Sequence, residues 1–128
     1  MKTRSFLYAT SWLEHFRRIP PRRKNNYLRK FSKRFPRISQ YLEHVKISTN
    51  TDKLVGFIKT IHPAIIIVDD KLASLTQSTG TPIVLERNIR YRHHERLMLI
   101  ADNLANYFRV LLRNNPRKFR EELNRIEK

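Results

Sequence analysis

Apolar side chains recur at helical spacing along the N-terminal third of the chain. Within 5–19 the stripe contains Phe6, Ala9, Leu13 and Phe16, with Trp12 and Ile19 beside it. Residues three or four positions apart share one face of an α-helix, so this spacing predicts an amphipathic helix. Pro20 and Pro21 are expected to end that helix and begin the next, since proline is tolerated in the first turn but not in a helix interior.

A second amphipathic stripe follows in 22–35. It contains Tyr27, Leu28, Phe31 and Phe35. Pro36 is expected to break this helix, because an interior proline removes a backbone hydrogen bond. A third helical stripe is predicted from Ile38, Tyr41, Leu42 and Val45. Residues 1–46 are therefore predicted to form short helices joined at proline kinks.

The next segment, 47–52, is polar and typical of a linker. Either Thr51 or Asp52 is expected to cap a helix, because hydroxyl and carboxylate oxygens accept hydrogen bonds from the first free N–H groups. This helix carries Leu54, Ile58 and Ile61 on one face. His62 and Pro63 are expected to end it.

The pattern at 64–68 is ambiguous. Ile65 to Val68 form an apolar run typical of a buried strand, whereas Ile65, Val68, Leu72 and Leu75 have helical spacing. Both alternatives stay open at this point. Residues 78–82 are typical of a turn, in which Gly80 suits the position just after a helix end.

From Pro82 onward the pattern is mostly helical. The longest predicted helix covers 89–113, with a stripe of Leu97, Ala101, Leu104, Phe108 and Leu111 that Ile100 and Tyr107 widen. Asn115 is the expected N-cap, and Pro116 the first residue, of a last helix. That helix places Phe119, Leu123 and Ile126 on one face. The elements together predict an all-α fold, with a basic N-terminal helical arm followed by a small antiparallel helical bundle.

Charge divides the 128-residue chain at residue 46. The chain carries 27 Lys and Arg against 11 Asp and Glu, a formal net charge of +16. Residues 1–46 hold 13 of the cations and two of the acids, and 15–37 hold ten cations and no acid. Such a charge is unfavourable in a compact monomer without a polyanionic partner, and nucleic acid is the default partner. We therefore predict a basic helical DNA-wrapping arm at 1–46 and a helical bundle at 47–128.

The candidate DNA-binding residues are the cations of the arm and those of a second basic patch. In the arm they are Lys2, Arg4, Arg17, Arg18, Arg22, Arg23, Lys24, Arg29, Lys30, Lys33, Arg34 and Arg37. In the second patch they are Arg87, Arg90, Arg92, His93 and Arg96. For His93 and His94, phosphate contact and a surface position at a helix start are equally open. The arm's aromatic residues could stack on bases, but their helical spacing favours packing against a neighbouring helix.

Composition excludes several other classes of protein. The chain has two glycines and no cysteine, which excludes glycine-rich phosphate loops, disulfides and thiolate chemistry. The five histidines form no i,i+4 pair, and the sequence has no nucleophile-elbow motif. We therefore expect no metal site, no cofactor and no enzymatic activity. We also expect neither a membrane span nor a signal peptide.

A nuclease is the enzymatic alternative. Asp69, Asp70 and Glu86 resemble the metal-binding acids of RecB-like and CRISPR-associated nucleases. That chemistry needs a lysine two residues after the acid, where this chain has Asn88. The acids alone could at most bind Mg²⁺, so we favour surface acids that pair with nearby cations. The expected partners are Lys71, Arg87 or Arg90.

The segment 102–126 combines the end of a long helix, a break and a final helix. It contains Tyr107 with Phe108, Asn115 with Pro116, and Phe119. In these residues, and in its order of basic arm and bundle, the chain resembles the major coat proteins of archaeal filamentous viruses. These are the rudiviruses, lipothrixviruses and tristromaviruses, and the high charge is most similar to the tristromavirus coats.

The resemblance implies a structural function. Such coat subunits wrap linear double-stranded DNA with their N-terminal helices and hold it in A-form inside a helical filament. The implied protein is a viral nucleocapsid protein, located in the virion and assembled in the host cytoplasm. The implied partners are double-stranded DNA, a second copy or a paralogous coat protein as a dimer, neighbouring subunits, and an enclosing membrane envelope or matrix protein. No small-molecule substrate is implied.

The same resemblance implies that the C-terminal bundle packs against neighbouring subunits. The candidate packing residues are Leu97, Ile100, Leu104, Tyr107, Phe108, Leu111, Phe119 and Leu123. Two alternatives stay open. One is a non-viral, sequence-independent DNA-binding protein of chromatin-like or regulatory type, and the other is a degenerate derivative of a RecB-like nuclease.

Overall fold

Helices dominate the computed structural model, which describes residues 2–69, 72, 74 and 79–128. The described α-helices are α1 (Lys2–Ala9), α2 (Pro21–Ser39), α3 (Thr51–Ile61), α4 (Arg92–Asn114) and α5 (Pro116–Ile126). Two short strands are β1 (Ile66–Val68) and β2 (Ile83–Leu85), and 3-10 turns cover Phe16–Arg18 and Glu86–Asn88. The mostly helical prediction is confirmed, and the antiparallel bundle stays a prediction.

The ambiguous segment at 64–68 is a strand. Ile66 pairs with Ile83 and Val68 with Leu85, in a parallel two-stranded sheet. The β2 strand corrects the helical prediction that began at Pro82, since its β-branched side chains suit a pleated, half-buried surface. Gly80 has a φ of 73°, the left-handed conformation expected for it. The helix expected before Gly80 falls largely on residues outside the described ranges.

The first predicted helix is shorter than its apolar stripe. Helix α1 ends at Ala9 instead of 19, because side chains satisfy the carbonyl groups of its last turn. The Thr10 hydroxyl donates to the Phe6 carbonyl at 2.8 Å, and Trp12 Nε1 donates to the Ala9 carbonyl at 2.9 Å. Phe16 is buried in the separate 3-10 turn that follows.

The helix break expected at Pro36 is also corrected, because α2 continues through this residue to Ser39. Pro36 is exposed, whereas Phe35 and Ile38 on either side are buried. Burial of these two side chains outweighs the lost backbone hydrogen bond. The third stripe after Pro36 does not form a separate helix. Val45 instead lies outside any helix and exchanges backbone hydrogen bonds of 3.0 and 3.2 Å with Lys128.

Helix caps agree closely with the sequence prediction. Asn115 caps α5 by accepting a hydrogen bond from the Lys118 N–H at 3.2 Å, and Pro116 is the first helical residue. The cap of α3 is Asn50, one residue before the predicted pair, since its Oδ1 accepts from two backbone N–H groups at 2.9 and 3.2 Å. The same helix ends at His62, in the left-handed conformation.

One hydrophobic core unites the two parts of the chain. It takes Phe6, Phe16 and Phe31 from the N-terminal part and Tyr107 and Ile126 from the C-terminal part. Phe31 is fully buried, and its ring lies 5.5 to 6.4 Å from the rings of three aromatic neighbours. The described residues of the N-terminal part, 2–46, are thus folded against α4 and α5. Within the described ranges, no helix is both long enough and apolar enough to span a membrane.

Candidate nucleic-acid interface

Helix α2 has one buried face and one basic face. Its buried residues are Tyr27, Leu28, Phe31, Phe35 and Ile38. Seven cations lie on the remaining surface, and Lys24 lies beside the buried face at the start of the helix. All eight are here called the α2 basic face, namely Arg22, Arg23, Lys24, Arg29, Lys30, Lys33, Arg34 and Arg37. All of these side chains are exposed except that of Lys24, which is half-buried. The sequence pattern thus places eight predicted DNA-binding residues on one helix.

Aromatic rings position several cations of the α2 basic face. The Lys24 ammonium lies 4.6 Å from the centre of the Phe16 ring. The Lys30 ammonium and the Arg34 guanidinium lie 5.0 and 5.5 Å from the Trp12 ring. Such contacts stabilise a cation without neutralising its charge. The aromatic residues therefore pack against the core and hold the cations, as their helical spacing favoured.

Acidic side chains neutralise little of the positive charge on the α2 basic face. Within the described ranges, its one ion pair joins Arg23 to Glu14 at 3.2 Å, between exposed side chains. Lys30, Lys33, Arg34 and Arg37 together line a depression of about 440 Å³. Like charges at i,i+3 and i,i+4 spacing destabilise a helix. An anion bound in this depression would relieve the repulsion.

Several acids of the chain are committed to internal contacts. Asp102 Oδ2 accepts a hydrogen bond from the Phe16 N–H at 3.1 Å, which fixes the first 3-10 turn to α4. Glu127 Oε2 accepts from the Ile47 N–H at 2.9 Å. Glu14 also anchors the core through its backbone, since its carbonyl accepts from the buried Asn103 amide at 3.0 Å. The carboxylates of Asp102 and Glu127 thus accept hydrogen bonds from backbone N–H groups of the N-terminal part of the chain.

A polar network lies beneath the α2 basic face and joins three helices. Glu122 on α5 accepts hydrogen bonds from Tyr107 on α4 and, at 2.8 Å, from the Ser32 hydroxyl on α2. Arg125 donates to both Glu122 oxygens, at 2.5 and 2.7 Å, and to the Ser32 hydroxyl at 3.0 Å. The network fixes the orientation of α2 relative to the C-terminal helices.

The network shifts the ionisation of its members. The hydrogen bonds from Arg125 lower the pKa of Glu122 to about 2, against the opposing effect of burial. Burial, with the hydrogen bond to Glu122, raises the pKa of Tyr107 to about 12. A charged Glu122 beside a protonated Tyr107 is therefore the stable state at neutral pH. This arrangement is a structural ion pair, with all its polar atoms facing one another.

The second basic patch adjoins the first 3-10 turn. His15 Nδ1 lies 4.0 Å from Glu86 Oε1, which brings the turn that carries Arg17 and Arg18 close to the turn that carries Arg87. The exposed predicted residues here are Arg17, Arg18, Arg87, Arg90, Arg92 and His93. Arg96 differs, because it is half-buried and its Nε has no hydrogen-bond partner among the described residues.

The two histidines of the second patch pack against an exposed aromatic residue. The Tyr91 ring lies 5.7 Å from that of His93 and 5.3 Å from that of His94. His93 is exposed, whereas His94 is half-buried. Phosphate contact therefore stays a prediction for His93, with its imidazole on the surface at the start of α4.

Arg4 joins the basic surface from α1. It lines a cleft between α1 and α2 that Arg34 and Arg37 also line. Lys2 begins α1, and its side chain lies outside what the structure describes. The apolar pattern of the sequence does not reveal this cleft, because Tyr8, which also lines it, falls off the apolar stripe of the first helix. An aromatic residue at a polar helix position was the available signal.

Most of the predicted subunit-packing residues have a different place in the structure. Ile100, Leu104, Tyr107, Phe108 and Leu111 are buried in the core of the chain itself. Phe119 and Leu123 are half-buried against that core. Leu97 is 38% exposed, and it is the one of the eight that presents its side chain to solvent. An apolar helix stripe predicts burial but does not distinguish the chain's own core from a neighbour's.

The nuclease-like acids do not assemble a metal centre within the described residues. No three His, Cys, Asp or Glu side chains come together there as a metal site. Glu86 Oε1 lies 4.0 Å from His15 Nδ1. Asn88 is exposed in the same turn. Asp70 and Lys71 lie outside the described residues.

Comparisons with known proteins identify no relative. No protein-family model, curated protein sequence or solved structure matches this chain. The likeness of 102–126 to archaeal viral coat proteins therefore stays a prediction.

Proposed function

We propose that this protein binds the phosphate backbone of double-stranded DNA without reading its sequence, as a nucleocapsid-type structural protein. The observation that carries the proposal is the α2 basic face. It presents eight cations on one helix, of which only Arg23 pairs with an acid of the described chain. Phosphate contacts of this kind supply affinity and position but carry no sequence information.

The length of α2 agrees with the spacing of phosphates. A helix of 19 residues spans roughly 28 Å at about 1.5 Å per residue. One DNA strand presents roughly eight phosphates over that length, at about 3.4 Å per phosphate. The cations of the α2 basic face run from Arg22 to Arg37, a length of roughly 22 Å that corresponds to roughly six or seven phosphates. The net charge of +16 would balance about 16 phosphates, or about eight base pairs.

Packaging in a filament is the further part of this proposal. It rests on the resemblance of 102–126 to the viral coat proteins, and it includes DNA held in A-form, pairing with a second copy or a paralogue, and residence in the virion. Because residues 2–46 fold onto the core, we propose that successive subunits each lay α2 along the duplex. Leu97 and Leu112, which are 38% and 46% exposed, are large apolar α4 residues available for subunit contact.

A sequence-reading regulatory protein is the second candidate. Asn25 and Asn26 are exposed on α2 beside the cations. Side-chain amides of this type read adenine in the major groove. If they do so here, affinity will differ strongly between unrelated duplexes and will fall at one sequence when either amide is replaced.

Charge removal at two places on the surface tests the proposal. Three exposed residues of the α2 basic face, Arg22, Arg29 and Lys33, are changed together to alanine. The matched control changes three exposed cations elsewhere to alanine, namely Lys53, Lys59 and Arg120. Each variant loses three charges, so a general loss of net charge affects both equally.

Fluorescence anisotropy with two unrelated duplexes is the readout. We expect the α2 variant to bind both duplexes at least about tenfold more weakly than the control, because phosphate contacts are lost only in the first. Circular dichroism should show equal helical content. Equal affinity of the two variants would contradict the proposed interface, and a strong preference for one duplex would favour the regulatory candidate. Electron microscopy of the complex tests whether filaments form.

A further inference from the structure

The cleft between α1 and α2 differs from the rest of the basic surface. It is lined by three guanidinium groups, those of Arg4, Arg34 and Arg37, and by the side chains of Tyr8 and Trp12. No acid is among its lining residues. Its volume of about 810 Å³ falls within the range of about 300–1,000 Å³ for small-molecule sites. The cleft thus combines positive charge with aromatic surface.

Tyr8 is the residue of this cleft that folding does not explain. Its side chain is 83% exposed, whereas Phe6 on the same helix is buried. The other aromatic residues near the α2 basic face are buried or half-buried in the core. An exposed aromatic ring surrounded by arginines is the arrangement on which nucleic-acid bases stack.

The rest of the cleft is held in place before any ligand binds. Trp12 Nε1 donates to the Ala9 carbonyl at 2.9 Å, which fixes the indole ring. Arg34 lies 5.5 Å from the centre of that ring. Arg4 is one helical turn before Tyr8 on α1, so the two side chains share a helix face. Preorganised groups lose less conformational entropy on binding than mobile ones.

We propose that this cleft binds an unpaired nucleotide of a DNA strand. The base stacks on Tyr8, and the adjoining phosphates lie between Arg4, Arg34 and Arg37. Bases within an intact duplex are stacked on one another, so the ligand is a single-stranded overhang or a gap. The inference rests on the proposed function, because Arg34 and Arg37 belong to the α2 basic face. It makes unpaired DNA a second ligand of the protein besides duplex DNA.

Three labelled DNA probes test the proposal on the full chain. The first is a blunt duplex, the second is the same duplex with a short thymidine overhang, and the third carries an abasic overhang of equal length. The abasic overhang keeps the phosphates and removes the bases. We expect the wild-type protein to bind the thymidine overhang about tenfold more tightly than the abasic one, the effect of about one stacked base.

Variants of Tyr8 assign this preference to the ring. We expect Tyr8→Ala to abolish the preference for thymidine over abasic overhang while affinity for the blunt duplex stays unchanged. Tyr8→Phe should keep the preference, since it retains the aromatic ring. The matched control is Tyr91→Ala, which removes another exposed tyrosine, 61% accessible, from the second basic patch. It should also keep the preference.

Each outcome decides the inference. Equal binding of the two overhangs by the wild-type protein overturns it, as does an undiminished preference in Tyr8→Ala. Equal weakening of all three probes by Tyr8→Ala also overturns it, because the ring would then act through packing. Failure of the proposed function has a different signature, in which the wild-type protein does not bind the blunt duplex. In that case the role of the cleft is decided by comparing two single-stranded probes, one of thymidine nucleotides and one of abasic nucleotides of equal length.

Discussion

Tyr107 on α4 donates a hydrogen bond to Glu122 on α5, and this contact closes the polar network that also includes Ser32 on α2. The two residues lie 15 positions apart along the chain, on helices separated by the break at Asn115 and Pro116. The contact therefore fixes the angle between α4 and α5. Through Ser32 it also fixes the helix that carries the α2 basic face.

Acid should destabilise the protein in part through Glu122. Its pKa of about 2 lies below the value of about 4.3 for a free glutamate. A carboxyl group whose pKa is lowered by folding stabilises the folded state above its unfolded pKa, and this stabilisation is lost as pH falls toward the folded pKa. We expect a loss of about 2 kcal/mol between about pH 5 and about pH 2. Urea unfolding at a series of pH values measures it.

Neighbouring glutamates provide the matched control for this effect. Glu122→Gln should make stability less dependent on pH over the same acidic range. Glu121→Gln should behave like the wild type, because Glu121 forms only an exposed pair with Arg117 at 3.5 Å. An unchanged pH dependence in Glu122→Gln would show that other carboxyl groups cause the acid unfolding.

Removing the Tyr107 hydroxyl should weaken the connection between α4 and α5. Tyr107→Phe keeps the buried ring and deletes the hydrogen bond that the hydroxyl donates to Glu122. We expect the free energy of unfolding to fall by about 1.5–3 kcal/mol, the range for hydrogen bonds to a charged group. Chemical denaturation measures it, and a loss below about 0.5 kcal/mol would mean that the short contact contributes no net stability.

The break between α4 and α5 offers a second paired test. Asn115→Ala removes the side chain that accepts from the Lys118 N–H. We expect a loss of about 1 kcal/mol, typical of an N-cap. Asn114→Ala changes the adjacent exposed residue, which ends α4 and caps no helix. It should alter stability by less than about 0.5 kcal/mol. Equal effects of the two substitutions would contradict the cap assignment.

Replacing Phe31 in the core should have a larger effect on the free energy of unfolding. Phe31 is fully buried between the helices that the two parts of the chain contribute. Phe31→Ala should lower the free energy of unfolding by about 3–5 kcal/mol, and the milder Phe31→Leu by less, because both leave a cavity. Thermal unfolding followed by circular dichroism measures both variants. A separately folded N-terminal arm would instead melt in its own transition, with the C-terminal helices unaffected.

Local signals in the sequence predicted local structure well. Asn115 with Pro116 marked a helix start, and the stripe around Phe108 marked α4, because caps and periodicity act within a few residues. The same rules failed at Pro36, where burial of Phe35 and Ile38 preserves the helix. They also failed at Ile83, which pairs with Ile66, 17 positions earlier. Such a contact between distant residues leaves no signal in the local sequence pattern.

The site was predicted from charge but not from shape. The cations of α2 were found because ten cations without an acid in 15–37 stand out in any sequence. Tyr8 and the cleft around it were missed, since the cleft exists only when α1 folds against α2. The role of Ile100 or Phe108 as core residues was likewise undetermined, because an apolar stripe packs equally well against the same chain or against another.

The salt dependence of DNA binding tests the central claim most directly. Each neutralised phosphate changes the slope of log affinity against log salt by about −0.9, so the eight cations of the α2 basic face predict a slope of about −7 on a random-sequence duplex. The triple variant of Arg22, Arg29 and Lys33 should give a slope about 3 less steep, and the control variant of Lys53, Lys59 and Arg120 should match the wild type. A wild-type slope shallower than about −2, or equal slopes in the two variants, would contradict phosphate binding by α2.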